Sequence, residues 1–349
     1  MATYNQYDVT TNQPFNLSAQ DDLVSIGATN SASYKYIING LAGADTVNFL
    51  GGSTTDYKIT TNPNGSYQIT AKISFGVTFG VSFYQYFDAT LTNVEYLKIN
   101  GVAWTELHST GDGVIYGTSL NDTLNGTSAN DALNGGVGND TMIGGKGNDT
   151  YYVNATGDVV TEAANAGTDT IISAIEIYTI SALTNIENLT YSGSSDATLT
   201  GNKLTNTLTG STGNDSLSGG LGNDSLIGGA GNDVFIFDTT ANASKNKDTI
   251  TDFISGTDHI QFNKAIFTGL GSSMGNLTEI QFYSGAGVTK AHDTDDRIIY
   301  NSTTGALYYD ADGSGKGVAV QVALIGTSTH PSLAYTDIAI IEAYTLFHR

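Results

Sequence analysis

Large apolar side chains recur along this chain at intervals of nine residues. In one stretch they are Leu124, Leu133, Met142 and Tyr151, and in a second Leu208, Leu217, Leu226 and Phe235. Each stands two places after an acidic or amide residue: Asp122, Asp131, Asp140 and Asp149 in the first stretch, Asn206, Asp215, Asp224 and Asp233 in the second. A period of nine fits neither an amphipathic helix nor a long alternating strand. It predicts a very short strand over the three residues Asp-x-apolar, with the apolar residue pointing inward and its neighbours outward, joined by tight glycine turns. Two such units make one coil, and stacked coils bury a ladder of apolar residues.

Elsewhere the pattern changes but stays β. Residues 168–200 read as short strands, with Ile171, Ile175, Ile177 and Ile180 as a buried connector. Residues 263–349 alternate apolar and polar positions between turn signals, as a hairpin meander does. Residues 1–110 form a third β-rich block. In it Ile73, Phe75, Val77, Phe79, Val81 and Phe83 alternate strictly, predicting one strand over 73–83. Its apolar face serves either as sheet core or, at a sheet edge, as a surface for a second copy. The fold expected is all-β: a parallel β-roll in two arrays, flanked by N-terminal and C-terminal β-sandwich-like blocks. The expected division is 1–110, 111–167 (first array with cap), 168–200 (connector), 201–262 (second array with cap) and 263–349.

Charge sharpens the turn chemistry. Of 349 residues, 34 are acidic and 13 basic, a formal net charge of −21, and 27 of the acids are Asp. Short Asp belongs to turns, caps and metal loops more than to helix faces. Such acidity excludes nucleic-acid partners, and the absence of cysteine excludes disulfides and thiolate sites. No apolar run is long enough to span a membrane as a helix, and the N-terminus lacks the pattern of a cleavable secretory signal. Stacked coils would place the aspartates at roughly the ~4.8 Å strand spacing, where bare like charges repel. A cation between them removes the conflict, and carboxylates with turn carbonyls, without His or Cys, select calcium. Candidate ligands are Asp122, Asp131, Asp140, Asp149, Asp215, Asp224, Asp233 and Asn206. With them stand the turn glycines Gly117, Gly126, Gly135, Gly138, Gly144, Gly147, Gly210, Gly213, Gly219, Gly222, Gly228 and Gly231. Roughly ten Ca²⁺ would neutralise the chain, and the arrays have room for about four to eight. Without calcium the arrays are expected to be largely unfolded.

The repeats, GGVGNDTMI and GGLGNDSLI among them, resemble those of the RTX (repeats-in-toxin) hemolysin-type calcium-binding family, which is exported by type I secretion systems. The resemblance implies secretion to the cell exterior or surface and folding on extracellular calcium. GDVVTE at 157–162 and KDTITDF at 247–253 resemble the segments that close such arrays. There Asp158, Glu162, Asp248 and Asp252 are either further calcium ligands or ordinary cap and surface acids. TGALYYDADGSG at 304–315 resembles the family's C-terminal secretion-target region. Its Asp310-Ala-Asp312-Gly313 opens like a calcium loop but lacks the closing Glu, and reads as a hairpin turn.

No enzyme chemistry stands out. The five histidines are scattered and no H-E-x-x-H occurs, which excludes that class of zinc protease. Gly271-Ser-Ser273-Met-Gly275 fits G-x-S-x-G, but no helical pattern follows to build a nucleophile elbow. The function expected is therefore a secreted, non-enzymatic calcium-binding structural protein of the cell surface or extracellular matrix, in a surface layer, filament or biofilm. Its partners would be calcium, the type I machinery and further copies of itself. The alternatives are an adhesin whose N-terminal block binds surface glycans, and the secretion half of an extracellular enzyme.

Overall fold

A computed structural model describes residues 114–117, 121–271 and 273–342 in full, and ten backbone strands within 3–104. The chain divides into two compact units: Met1–Thr127 with Asp131–Gly144 and Gly157–Val159, and Ser128–Asn130 with Gly145–Thr156 and Val160–Arg349.

In the first unit, strands within 3–104 fall into two five-stranded sheets and alternate between them as far as Tyr57–Thr61, after which consecutive strands of a sheet pair antiparallel. Thr3–Asn5, Leu23–Gly27, Thr46–Leu50 and Tyr96–Ile99 pair in parallel, as do Pro14–Asn16, Tyr34–Asn39 and Val81–Thr92. Parallel pairing of every second strand is the connectivity of a coil, where a sandwich-like block had been expected. The apolar run is also not one strand. Tyr67–Thr78 and Val81–Thr92 pair antiparallel, with Thr78 opposite Val81, so 73–83 folds back on itself. Both strands lie inside their sheet order and neither is an edge. Gly76 lies where the register of this pair shifts, between Ser74 and Val77. The side chains of this run, Phe79 included, lie outside the described residues.

The repeats of the same unit wind as expected. Val114–Tyr116 pairs in parallel with Ala132–Asn134, and Thr123–Asn125 with Thr141–Ile143, one coil of eighteen residues apart. Leu124, Leu133 and Met142 are fully buried while their neighbours face outward.

The second unit is a longer stack. One face carries Thr150–Val153, Thr170–Ser173, Asn188–Tyr191, Thr207–Ser211, Ser225–Gly229 and Asp248–Ile250 in order. The other carries Ile177–Thr179, Thr198–Thr200, Ser216–Ser218, Val234–Phe237, His259–Asn263 and Ile338–Ile341. Register keeps the inward residues aligned: Tyr151, Ile171, Leu189, Leu208, Leu226 and Ile250 on one face, and Leu199, Leu217, Phe235, Ile260 and Ile338 on the other, all fully buried. Each contributes about 1.5–3 kcal/mol of apolar burial. The connector is thus two further coils of the stack, in which Ile171 and Ile180 are buried as expected, while Ile175 is half-buried and Ile177 faces outward.

The C-terminal strands also join these sheets and form no separate sandwich. Val320–Ile325 continues the first face in parallel from Asp248–Ile250. The antiparallel strands Ala306–Tyr309 and Ile298–Asn301 follow it. Rings of Phe237, Phe262, Phe267 and Tyr309 stack in sequence at 4.8–5.2 Å and fill this end of the core. The acidic loop Asp310–Gly315 lies between Ala306–Tyr309 and Val320–Ile325, as a hairpin connection. Among the described residues there is no α-helix, only single 3₁₀ turns, so none stands behind Ser273.

Candidate metal centres

Each inward-facing strand is preceded by the residue that carries the turn chemistry, and these residues form hydrogen-bonded ladders along the coils. In the first unit the Asp122 amide donates to Asp140 Oδ1 (2.8 Å), and the Asp140 amide to Asp158 Oδ1 (3.0 Å). In the second unit one ladder starts with the Asp149 amide donating to Asp169 Oδ1 and the Asp169 amide to Glu187 Oε2, both 2.8 Å. It continues from the Asn206 amide to Asp224 Oδ1 (2.8 Å) and from the Asp224 amide to Asp248 Oδ1 (3.1 Å). The opposite ladder runs from the Ala197 amide to Asp215, from Asp215 to Asp233, and from Asp233 to Asp258 (2.7, 2.8 and 3.0 Å). One carboxylate oxygen per Asp is thereby committed to the preceding coil.

The second oxygen separates the repeats into two kinds. In GTSAND and GSTGND turns it is satisfied locally: Asp131 Oδ2 accepts from the Thr127 amide (2.5 Å) and Asp215 Oδ2 from the Ser211 amide (2.6 Å). In GGxGND turns the second glycine adopts a positive φ, 82° at Gly136 and 88° at Gly220, which a side chain bearing Cβ would resist. The turn then offers no such amide. Oδ2 of Asp140 and Oδ2 of Asp224 are buried without a hydrogen-bond partner. A buried unsatisfied carboxylate oxygen is costly, which marks a place for a positive partner. The first glycine keeps that place open: a Cβ on Gly135 or Gly219 would lie 2.2 Å from Oδ2 of Asp140 or Asp224.

Electrostatics agrees. Burial pushes Asp140, Asp169 and Asp258 above the usual carboxylate range. Asp233 is pushed up to about 6, by burial first and then by Asp258, Asp215 and Asp252. Asp224 and Asp248 form a close pair in which both are raised, again by burial first. The ion pairs Lys264–Glu342 (2.8 Å) and His292–Asp293 (3.6 Å) lie outside the ladders. Hard oxygens, crowded, buried and short of positive charge, fit calcium.

Of the candidate residues, Asp122, Asp140, Asp149, Asp215, Asp224, Asp233 and Asn206 are buried in ladders, and Asp131 is half-buried. The cap acids divide. Asp158 and Asp248 occupy ladder positions. Glu162 receives the Tyr151 hydroxyl hydrogen and meets Asp149 and Asp169, with one oxygen of each within 4.8 Å of the others. Asp252 stands off the ladder, accepting from the Gly228 and Gly229 amides (3.1 and 2.8 Å). The ladder position beyond Asp233 belongs to Asp258 instead. Asn206 also differs from expectation: its Nδ2 donates to the Ile186 and Glu187 carbonyls, so this end of the side chain offers hydrogens and no lone pair.

Sequence reasoning missed Asp169, Glu187 and Asp258 as ladder members. It also missed an outer amide ladder, in which Asn121, Asn130 and Asn214 Oδ1 accept from the amides of Asn139, Asn148 and Asn232 (2.8–2.9 Å). The signal was the Asn before each Asp in the repeats.

The model of the RTX calcium-binding nonapeptide repeat (4 copies) matches residues 116–151 and 200–235. The chain therefore carries RTX repeats, whose cofactor is Ca²⁺, and the buried aspartate ladders fit several such ions. No curated protein sequence matches the chain. Among solved structures it is similar to the extracellular lipase LipA from Serratia marcescens, at 13% identity and a TM-score of 0.17. That similarity covers 95% of this chain and 40% of the lipase, so the chain spans less than half the length of that protein.

Proposed function

We propose that this chain is a secreted calcium-binding structural protein of the cell surface or extracellular matrix, exported unfolded by a type I system and folded by the calcium it meets outside. The observation that carries the reading is the pair of buried, unpartnered carboxylate oxygens at Asp140 and Asp224, set in ladders of like charge. Asp140, Asp149, Asp224 and Asp233, each in a GGxGND turn, would hold the ions together with turn carbonyls. When bound, the ion supplies positive charge where the fold supplies none. These residues keep one oxygen on the neighbouring coil and present the other to the turn. At the low calcium of the cytosol the ladders repel and the chain stays threadable. The regular stack and the continuity of the C-terminal strands with it support a structural role, since ion binding stiffens a spacer and needs no catalytic group.

Size-exclusion chromatography with light scattering, with and without millimolar calcium, tests the reading. We expect an expanded monomer in chelator, and compact protein with higher-mass species in calcium. A hydrodynamic radius indifferent to calcium would overturn calcium-driven folding, and a strictly monomeric calcium-loaded protein would overturn assembly.

A further inference from the structure

In the second unit the ladder is interrupted at one coil by amides. Asn206 is 1% exposed and Asn202 4%. Asn206 Oδ1 accepts from the Asn202 amide (2.8 Å), and its Nδ2 donates to the carbonyls of Ile186 (3.0 Å) and Glu187 (3.2 Å) on the preceding coil. Asn202 Nδ2 donates to the carbonyls of Leu183 and Ile186, both 2.7 Å, and its Oδ1 accepts from the Leu204 amide (2.7 Å). Two neutral NH₂ groups thus collect three turn carbonyls, the kind of oxygen a hard cation gathers. Both side chains are satisfied at both ends, in contrast to Asp224 one coil further on.

We infer that residues 183–206 form a cation-free coil in which the amides of Asn202 and Asn206 stand in for calcium. This coil and the connector coils it closes, 170–208, are a calcium-independent folding nucleus between the calcium-dependent arrays. The inference rests on the calcium reading of the arrays and goes beyond it. A neutral amide needs no ion and adds no charge to Asp224, whose Oδ1 receives the Asn206 amide hydrogen. The nearest acid on its own ladder, Glu187, accepts the Asp169 amide hydrogen on Oε2, and the turn at 202–206 adds no further carboxylate to it. Calcium folding would then extend an existing end, avoiding a costly new nucleus.

Hydrogen exchange of the full chain in chelator and in millimolar calcium tests this, together with calcium stoichiometry by calorimetry for wild type and Asn206→Asp. We expect backbone amides of 188–208 to stay protected in chelator while those of 216–237 exchange at least tenfold faster than in calcium. Asn206→Asp should bind one more calcium than wild type, because a carboxylate replaces the donor facing Ile186 and Glu187. If 188–208 and 216–237 lose protection together in chelator, the nucleus is refuted and calcium-driven folding stands. A folded Asn206→Asp with unchanged stoichiometry refutes the stand-in role. Should that variant not fold, wild-type exchange decides alone. Wild type that binds no calcium overturns the calcium reading, and this inference with it.

Discussion

Replacing Asp224 by Asn should change stability in opposite directions with and without calcium. In the metal-free chain Asp224 holds a buried Oδ2 with no hydrogen-bond partner and faces Asp248, both carboxyls pushed up by burial. An unsatisfied buried acceptor costs about 1–3 kcal/mol, more when charged. Asn keeps the acceptor that the Asn206 amide uses at 2.8 Å, removes one charge of the pair, and offers an NH₂ as Asn206 itself does. In chelator the variant should therefore gain about 1–3 kcal/mol. In calcium it loses a ligand. A site filled at a hundred times its Kd contributes about 2.7 kcal/mol, so losing that site lowers stability by a similar amount. For a unit of this size, either change moves Tm by several degrees. Circular dichroism would read both, as a larger folded fraction in chelator and a lower Tm in millimolar calcium. A variant that is less stable in both buffers would refute the argument, since it would make Asp224 a structural acceptor and no metal ligand.

Further outcomes follow from the same geometry. Gly219→Ala puts a Cβ 2.2 Å from Asp224 Oδ2, so it should abolish one calcium site in calorimetric titration while Ser218→Ala leaves the count unchanged. In chelator, acid should stabilise the fold. The folded Asp233 is raised from 3.8 to about 6, so its protonated form contributes stability below about pH 4, which fades as pH climbs through 6. In chelator the folded fraction by circular dichroism should accordingly rise from pH 7.5 to pH 5, and millimolar calcium should flatten that dependence; structure lost over this range would contradict it. Asn214→Ala removes the acceptor of the Asn232 amide (2.9 Å) and a donor to Asp196 (3.1 Å) at the exposed ladder. It should cost about 0.5–1.5 kcal/mol in urea unfolding in millimolar calcium, with the calcium stoichiometry unchanged.

What could be read from the chain was what repeats at a fixed interval. The arrays have an eighteen-residue coil, so Asp215 bonding to Asp233 is visible as a spacing. The connector and the closing segment of the second array keep the ladder, but the interval no longer holds throughout. From Asp149 to Asp169 is twenty residues, from Asp169 to Glu187 eighteen, and from Asp224 to Asp248 twenty-four. Extra residues go into turns, where lengthening a loop costs little, while the strands hold their register. A periodicity search therefore finds the apolar ladder and passes over Asp169, Glu187 and Asp258. Asp252 drew attention instead because it sits in a familiar motif, although its oxygens go to the amides of Gly228 and Gly229. The strand expected at 73–83 failed for another reason. Strict alternation cannot tell one long strand from two that meet at a hairpin, and the glycines at 76 and 80 were the only clue.

The difference between GTS or GST turns and GG turns also bears on how many ions matter. Both kinds carry Asp in phase, but they present their carboxylates differently. The Ser211 and Ala197 amides satisfy both oxygens of Asp215, and Thr127 satisfies Oδ2 of Asp131, so these carboxylates would gain less from an ion. Where Gly136 or Gly220 turns to a positive φ, that amide is lost and the second oxygen is left bare. The glycine thus destabilises the metal-free coil twice, by its own backbone freedom and by the acceptor it strands. Both costs are offset only when a cation arrives. On the proposed reading such turns would make folding conditional on calcium, and the self-satisfied turns that precede them in each array would hold the register the conditional ones need.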